Sequence, residues 1–275
     1  MKSLKISLSI FSVLLMGALT SLSAQAAQLS SAKALAVKGS VTKYASDGSQ
    51  TKLKPGDILV EGDSLSVTAL SSAQLVFSNG SQITVKENTS IDISKLSQQP
   101  FSGSNTYEQL QADPSVSQTL LKINYGEIDF HVKNLRQGSR FDIQSPIGTA
   151  AVRGTQGSVR LFFNAERGEF LFVVRNTTGL VDLISRFTGD IEFRGNVGDA
   201  GFNSGVADEQ AVPVPENHSI IIRLGRGDPL FDVLFNAMEN FIPTNMNRGI
   251  LEMPEPQITP EDGGVIVVSP EMQGS

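Results

Sequence analysis

Hydrophobic and polar residues alternate along most of this chain with a period of two, the pattern of strands that bury one face. Phe141 and Ile143 alternate with Asp142 and Gln144, and Leu75 and Phe77 lead through Asn79-Gly80 to Ile83 and Val85, a hairpin signal. A strand is expected from Lys33 to Tyr44, turned by Asp47-Gly48. Ile91 and Ile93 add another, and Leu120 to Phe130, through Gly126, resumes the series. Val159 to Phe163 and Phe170 to Arg175 predict a hairpin around Ala165-Glu166-Arg167-Gly168. Strands continue from Leu180 to Phe193 with a turn at Gly189-Asp190; Asn196 to Gly205 reads as a glycine-rich loop. Val212 to Val214 and Ser219 to Leu224 finish the sheets. The expected class is all-β, an antiparallel sandwich or barrel-like domain. A helical period appears at Pro229 to Ile242, where Leu230, Val233, Leu234, Ala237, Met238 and Phe241 form a stripe and Asp228 caps the start.

The interruptions are as informative as the runs. Ser145-Pro146-Ile147-Gly148 ends the Phe141 strand, since proline lacks a ladder donor and glycine accepts angles other residues avoid. Small residues follow at Thr149-Ala150-Ala151, then Val152-Arg153-Gly154-Thr155, with Gly154 marking a bulge or corner. Among such neighbours Arg153 is expected to hold backbone carbonyls or a carboxylate inside the sandwich. The rival reading makes it an exposed contact for an anionic ligand. Gly56-Asp57 and Gly62-Asp63 read as turns in which each acid bonds its own following backbone. A cation site of Asp57, Glu61 and Asp63 competes, without the spacing of an EF-hand loop.

The run Phe141-x-Ile143-x-Ser145-Pro146-x-Gly148-x-Ala150-x-Val152-Arg153-Gly154-Thr155 resembles the signature of the FecR domain, best known from periplasmic regulators of iron-citrate uptake. Gly39-Ser40-Val41, the Leu53 to Leu65 segment and Phe77-x-Asn79-Gly80-Ser81 are similar to that domain's first half, so its core motifs span 39–160. The resemblance implies a domain that receives a signal outside the cytoplasm. In the family's regulators a cytoplasmic segment meets a sigma factor and a membrane helix follows. This chain is expected to carry a signal peptide in their place, a departure from those regulators, and no metal-binding residue transfers.

That signal peptide consists of Lys2 and Lys5, an apolar run from Ile6 to Leu22, and the small-x-small motif Ala24-Gln25-Ala26. Cleavage after Ala26 and a periplasmic or secreted address are expected. The rest has no apolar run long enough for a membrane helix, so no integral span is expected after cleavage. A formal charge of −6 argues against nucleic acid as a partner. The absence of cysteine removes disulfides, thiol nucleophiles and lipidation at an N-terminal cysteine.

The two histidines, His131 and His218, lack metal-ligand spacing, and no carboxylate spacing nominates an acid–base pair. Gly201 to Gly205 misses the nucleophile-elbow offset. No catalytic residue, metal or cofactor is expected. Within a β-domain over 28–225, the polar insertion at 97–118 should fold back through Phe101 and Tyr107. A short helix over 226–245 and a mobile, proline-rich acidic tail over 246–275 follow; Val265 to Val268 is apt to add a strand to a sheet edge. The expected function is a non-catalytic exported module that binds an envelope protein or receives a signal. The alternatives are a carbohydrate-active or hydrolytic envelope protein, marked by an acidic pair in a groove with one raised pKa, and a structural surface component.

Overall fold

The computed structural model describes residues 29–102, 106–185, 189–194, 200–206, 211–241 and 266–268. The expected signal peptide and most of the tail lie outside these. The described strands are β1 (Ala32–Lys38), β2 (Val41–Tyr44), β3 (Gln50–Lys52), β4 (Ile58–Leu59), β5 (Ser64–Val67), β6 (Ser72–Phe77), β7 (Gln82–Val85), β8 (Thr89–Gln98) and β9 (Ser117–His131). They continue with β10 (Arg140–Gln144), β11 (Gly148–Asn164), β12 (Glu169–Ser185), β13 (Gly189–Arg194), β14 (Ala200–Val206), β15 (Ala211–Val214), β16 (His218–Leu224) and β17 (Ile266–Val268). One helix, α1 (Pro229–Phe241), is described. The protein is all-β.

Three long strands organise it by serving two layers each. The first part of β9 pairs with β8 and, in parallel, with β10; its last residues pair with β7 and β11. β11 leaves β10 in the same way to run beside β9, and β12 passes from β16 to β15. Partners change at glycines with left-handed backbones: Gly126 (φ 99°), Gly154 (φ 62°) and Gly179 (φ 87°). Strands that bend from one layer into another at such points make the corners of a sandwich. The layers share one core, in which Phe77 of β6 meets Phe141 of β10 edge-on with ring centroids 5.3 Å apart.

The polar insertion folds back as expected. Tyr107 is buried, and its hydroxyl lies 3.1 Å from Ser31 Oγ. The Asn79-Gly80 hairpin forms, with Asn79 Oδ1 accepting the Ser81 N–H at 3.0 Å. Four expectations change. The Lys33 to Tyr44 strand is split into β1 and β2 at Gly39, whose φ of 72° breaks the ladder. Gly189-Asp190 lies inside β13 rather than in a turn, because Gly189 is already paired with Val206. The later part of the glycine-rich run is strand β14, zipped antiparallel to β13.

The helix begins as expected, with Asp228 Oδ1 accepting the Leu230 N–H at 2.8 Å, but its buried stripe is Phe231, Leu234 and Met238. Val233 faces solvent, and Phe231 instead packs on Phe170 at 5.4 Å because the aromatic pair closes that end of the core. In the tail, as expected of its apolar segment, Ile266 to Val268 forms β17, parallel to Ile221 to Arg223 of β16. An apolar extended segment satisfies its backbone on an available edge.

Candidate functional site

Beyond the corner at Gly154, β10, β11 and β12 lie side by side, and cross-strand register puts their outer-face residues in rows. Asp142 lies opposite Ala151, which lies opposite Asp182. In the next row Arg153 faces Leu180. The short side chain of Ala151 leaves a depression between two acids, and the Asn134 to Ser139 loop overhangs it. The result is a cleft of about 810 Å³ whose lining includes Arg136, Arg140, Asp142, Ala151, Arg153 and Asp182. That volume is in the range of small-molecule and peptide sites.

Charge within the cleft is distributed unevenly. Arg140 reaches Asp142 at 3.2 Å and is itself 62% exposed, whereas the Asp142 side chain is only 14% exposed. Burial pushes the Asp142 carboxyl above the ordinary range, and Arg140 and then Arg153 pull it back. Arg136 and Arg153 are exposed and have no carboxylate within ion-pairing distance among the described residues. Asp182, half-buried, likewise has none. A chain of net charge −6 thus carries a locally cationic cleft. Beside it Leu180 is 68% exposed, one of the few large apolar side chains left in water among the described residues.

The expectation that Arg153 is held inside the sandwich is therefore corrected. Val152 fills the core, so the period-2 pleat turns Arg153 to the outer face. The interior tie at this corner is Thr155, buried, whose hydroxyl proton has the Arg153 and Leu180 carbonyls as acceptors, both at 2.8 Å. The same oxygen accepts the Leu180 N–H at 2.9 Å.

Of the motif residues singled out in the sequence, Phe141, Val152, Arg153 and Gly154 line the cleft. Gly56, Gly62 and Gly80 occupy turns with φ of 92°, 92° and 84°. Asp57 Oδ2 accepts the Lys54 N–H at 2.8 Å and Asp63 Oδ2 the Val60 N–H at 2.9 Å, so both acids reach back rather than forward. The competing cation site is not assembled: Asp63 pairs with Lys43 at 2.9 Å and Glu61 with Lys95 at 3.4 Å. Pro146 sits in the turn closed by Ser145 N–H to Gly148 O at 2.7 Å, and a Cβ on Gly148 would lie 2.8 Å from the Ile184 carbonyl oxygen. Sequence reasoning passed over Arg136, Arg140 and Asp182. The first two carry a signal, an Arg-x-x-x-Arg-x-Asp run entering a strand; Asp182 carries none, because only strand register brings it to Ala151.

A second charged group lies on the outer face of the other layer. Lys86 pairs with Asp129 at 2.5 Å and Arg160 with Glu127 at 3.3 Å, and burial pushes Glu127 above its ordinary range. Its charges are matched internally.

The FecR protein family matches residues 63–177, from β5 into β12. Residues 63–177 are thus similar to a FecR domain. The overhanging loop, Asp142, Ala151 and Arg153 all fall inside that segment, while Asp182 lies just beyond it. Two crystal structures of a proposed anti-sigma factor from Parabacteroides distasonis ATCC 8503, at 2.50 and 1.65 Å resolution, resemble the chain with a TM-score of 0.32 and 14% identity. Each similarity covers 56% of this chain and 59% of the other, so the chain spans less than two thirds of that protein. No curated protein matches the chain.

Proposed function

We propose that this FecR-domain protein is a non-catalytic, exported module that binds a protein partner at the cell envelope and receives a signal through it. The arginine-rimmed cleft is the contact. Arg153 carries the reading: it stands near the end of the FecR signature and presents, beside exposed Leu180, an exposed guanidinium with no carboxylate in ion-pairing reach among the described residues. Arginine is enriched at binding hot spots relative to the rest of a protein's surface. The family match supports a regulatory role over a metabolic one, and the charged start of the chain supports export.

The test is retention of envelope proteins by the immobilised exported protein, compared with Arg153→Ala, Arg136→Ala and a distant control, Lys52→Ala. A species held by the parent and the control but lost from both arginine variants supports the reading. Equal retention by all four overturns it.

A second reading, hydrolysis of an envelope glycan, is favoured by one observation. Asp142 and Asp182 flank Ala151 in the cleft, and Asp142 is raised by burial. Two inter-strand spacings separate their backbones by about 9.5 Å on one face of the sheet. The Arg140 contact at 3.2 Å opposes a protonated, acid-competent Asp142, which is why binding is preferred. Release of reducing sugar from envelope glycan by the parent, lost in both Asp142→Asn and Asp182→Asn, would establish the hydrolytic reading instead.

A further inference from the structure

From the charges left over in the cleft, we infer that it takes a short zwitterionic peptide, with the ligand carboxylate between Arg136 and Arg153 and its ammonium on Asp182. This inference rests on the cleft being the binding site. Three arginines and two aspartates line it. Arg140 and Asp142 neutralise each other at 3.2 Å, leaving two guanidinium groups and one carboxylate. Because Arg153 faces Leu180 and Asp182 faces Ala151, Arg153 and Asp182 are diagonal neighbours on one face. Such neighbours lie about 7–8 Å apart, within reach of an arginine side chain, yet no ion pair joins them among the described residues.

The surroundings suit such a ligand. Ala151, at the floor, lets a peptide backbone approach the sheet, and Leu180, opposite Arg153, offers an exposed apolar contact beside it. A guanidinium fork holds a carboxylate through two parallel bonds, whereas a free ammonium needs a bare carboxylate. An anion-only ligand would leave Asp182 repelling it. A cation-only ligand would face a surplus of arginine. A ligand bearing both signs, a few ångströms apart, answers both.

The test uses trialanine in three forms, so that only its termini are charged: uncapped, N-acetylated and C-amidated. Each is titrated into the 15N-labelled exported protein while amide shifts of Ala151, Gly154 and Asp182 are followed. The uncapped peptide is expected to shift these amides saturably, and either cap to weaken binding by about tenfold or more, the loss of one charge-assisted contact. Asp182→Asn should reduce binding of the uncapped peptide to that of the acetylated one, and Arg153→Ala to that of the amidated one, with melting unchanged in both. Equal binding of uncapped and acetylated forms would show an anion site only and overturn the inference, as would no shift with any form. If trialanine fails while Arg153→Ala still abolishes partner retention, the ligand class is wrong and the site right. If neither experiment responds to Arg153, the site itself is wrong.

Discussion

Gly179 of β12 lies directly against the carbonyl of Gly154 in β11, so closely that a Cβ at position 179 would overlap that oxygen. Both residues have left-handed backbones, and together they let two strands turn the corner in contact. Gly179→Ala therefore meets backbone, which does not yield, and should lower stability by about 1–3 kcal/mol or more. Gly154→Val strains the backbone and crowds Asn134 Oδ1, 2.7 Å from the added Cβ, with a comparable loss. Urea unfolding of both variants beside the parent measures this.

Thr155 and Arg153 make a contrasting pair. Thr155→Val keeps the shape but leaves the Leu180 N–H without its acceptor at 2.9 Å, and Thr155 is itself buried, so it should cost about 1 kcal/mol. Arg153→Ala, on the exposed face, should stay within about 0.5 kcal/mol of the parent while losing partner retention. Thermal melting of the two variants decides; a large drop for Arg153→Ala would return that side chain to a structural role.

Phe231 is the residue of α1 most engaged with the core, packing on Phe170 at 5.4 Å and Phe163 at 6.2 Å. Phe231→Ala should cost about 3 kcal/mol, and Val233→Ala, on the exposed side, should be nearly neutral. The two melting temperatures test where the helix stripe faces.

Glu127 gives a dependence on pH. Burial lifts its carboxyl above the ordinary 4.5, with Arg160 and Lys86 pulling it down and Asp129 pushing it up. The native state then keeps this proton to higher pH than the unfolded chain does. Glu127 consequently costs stability as pH rises from about 4.5 through its folded pKa, and costs nothing below that window. Glu127→Gln lacks the fall. Urea midpoints taken from pH 4 to 7 should show the variant gaining on the parent as pH rises.

Most of the fold was legible because it follows from local chemistry. The period-2 faces at Phe141 and Ile143, the Asn79-Gly80 hairpin, the Asp228 cap and the Gly154 corner each depend on a few adjacent residues. The orientation of Arg153 was legible too, one step from core-facing Val152, but small neighbours were weighed as a sign of burial when they instead form the cleft floor. The helix stripe slipped because Phe231 competes with Leu230 and Val233 for one face, and only the position of Phe163 and Phe170 settles the contest. The site itself was hidden. Asp142 and Asp182 are forty residues apart, and Ala151 joins them through strand register alone.

The strands that turn from one layer into the other also govern how the domain comes apart. β9, β11 and β12 each supply ladder partners to both layers, so removing either layer strips the other of three members. No half-folded sandwich is available as a resting point, and many of the pairings join residues distant in sequence. Such a β-domain loses its structure in one cooperative step and regains it slowly, on the order of milliseconds to seconds. Coincident unfolding curves from backbone circular dichroism and from tyrosine emission, which reports buried Tyr107 and Tyr125, are the expected signature; two separated transitions would mean the layers are independent.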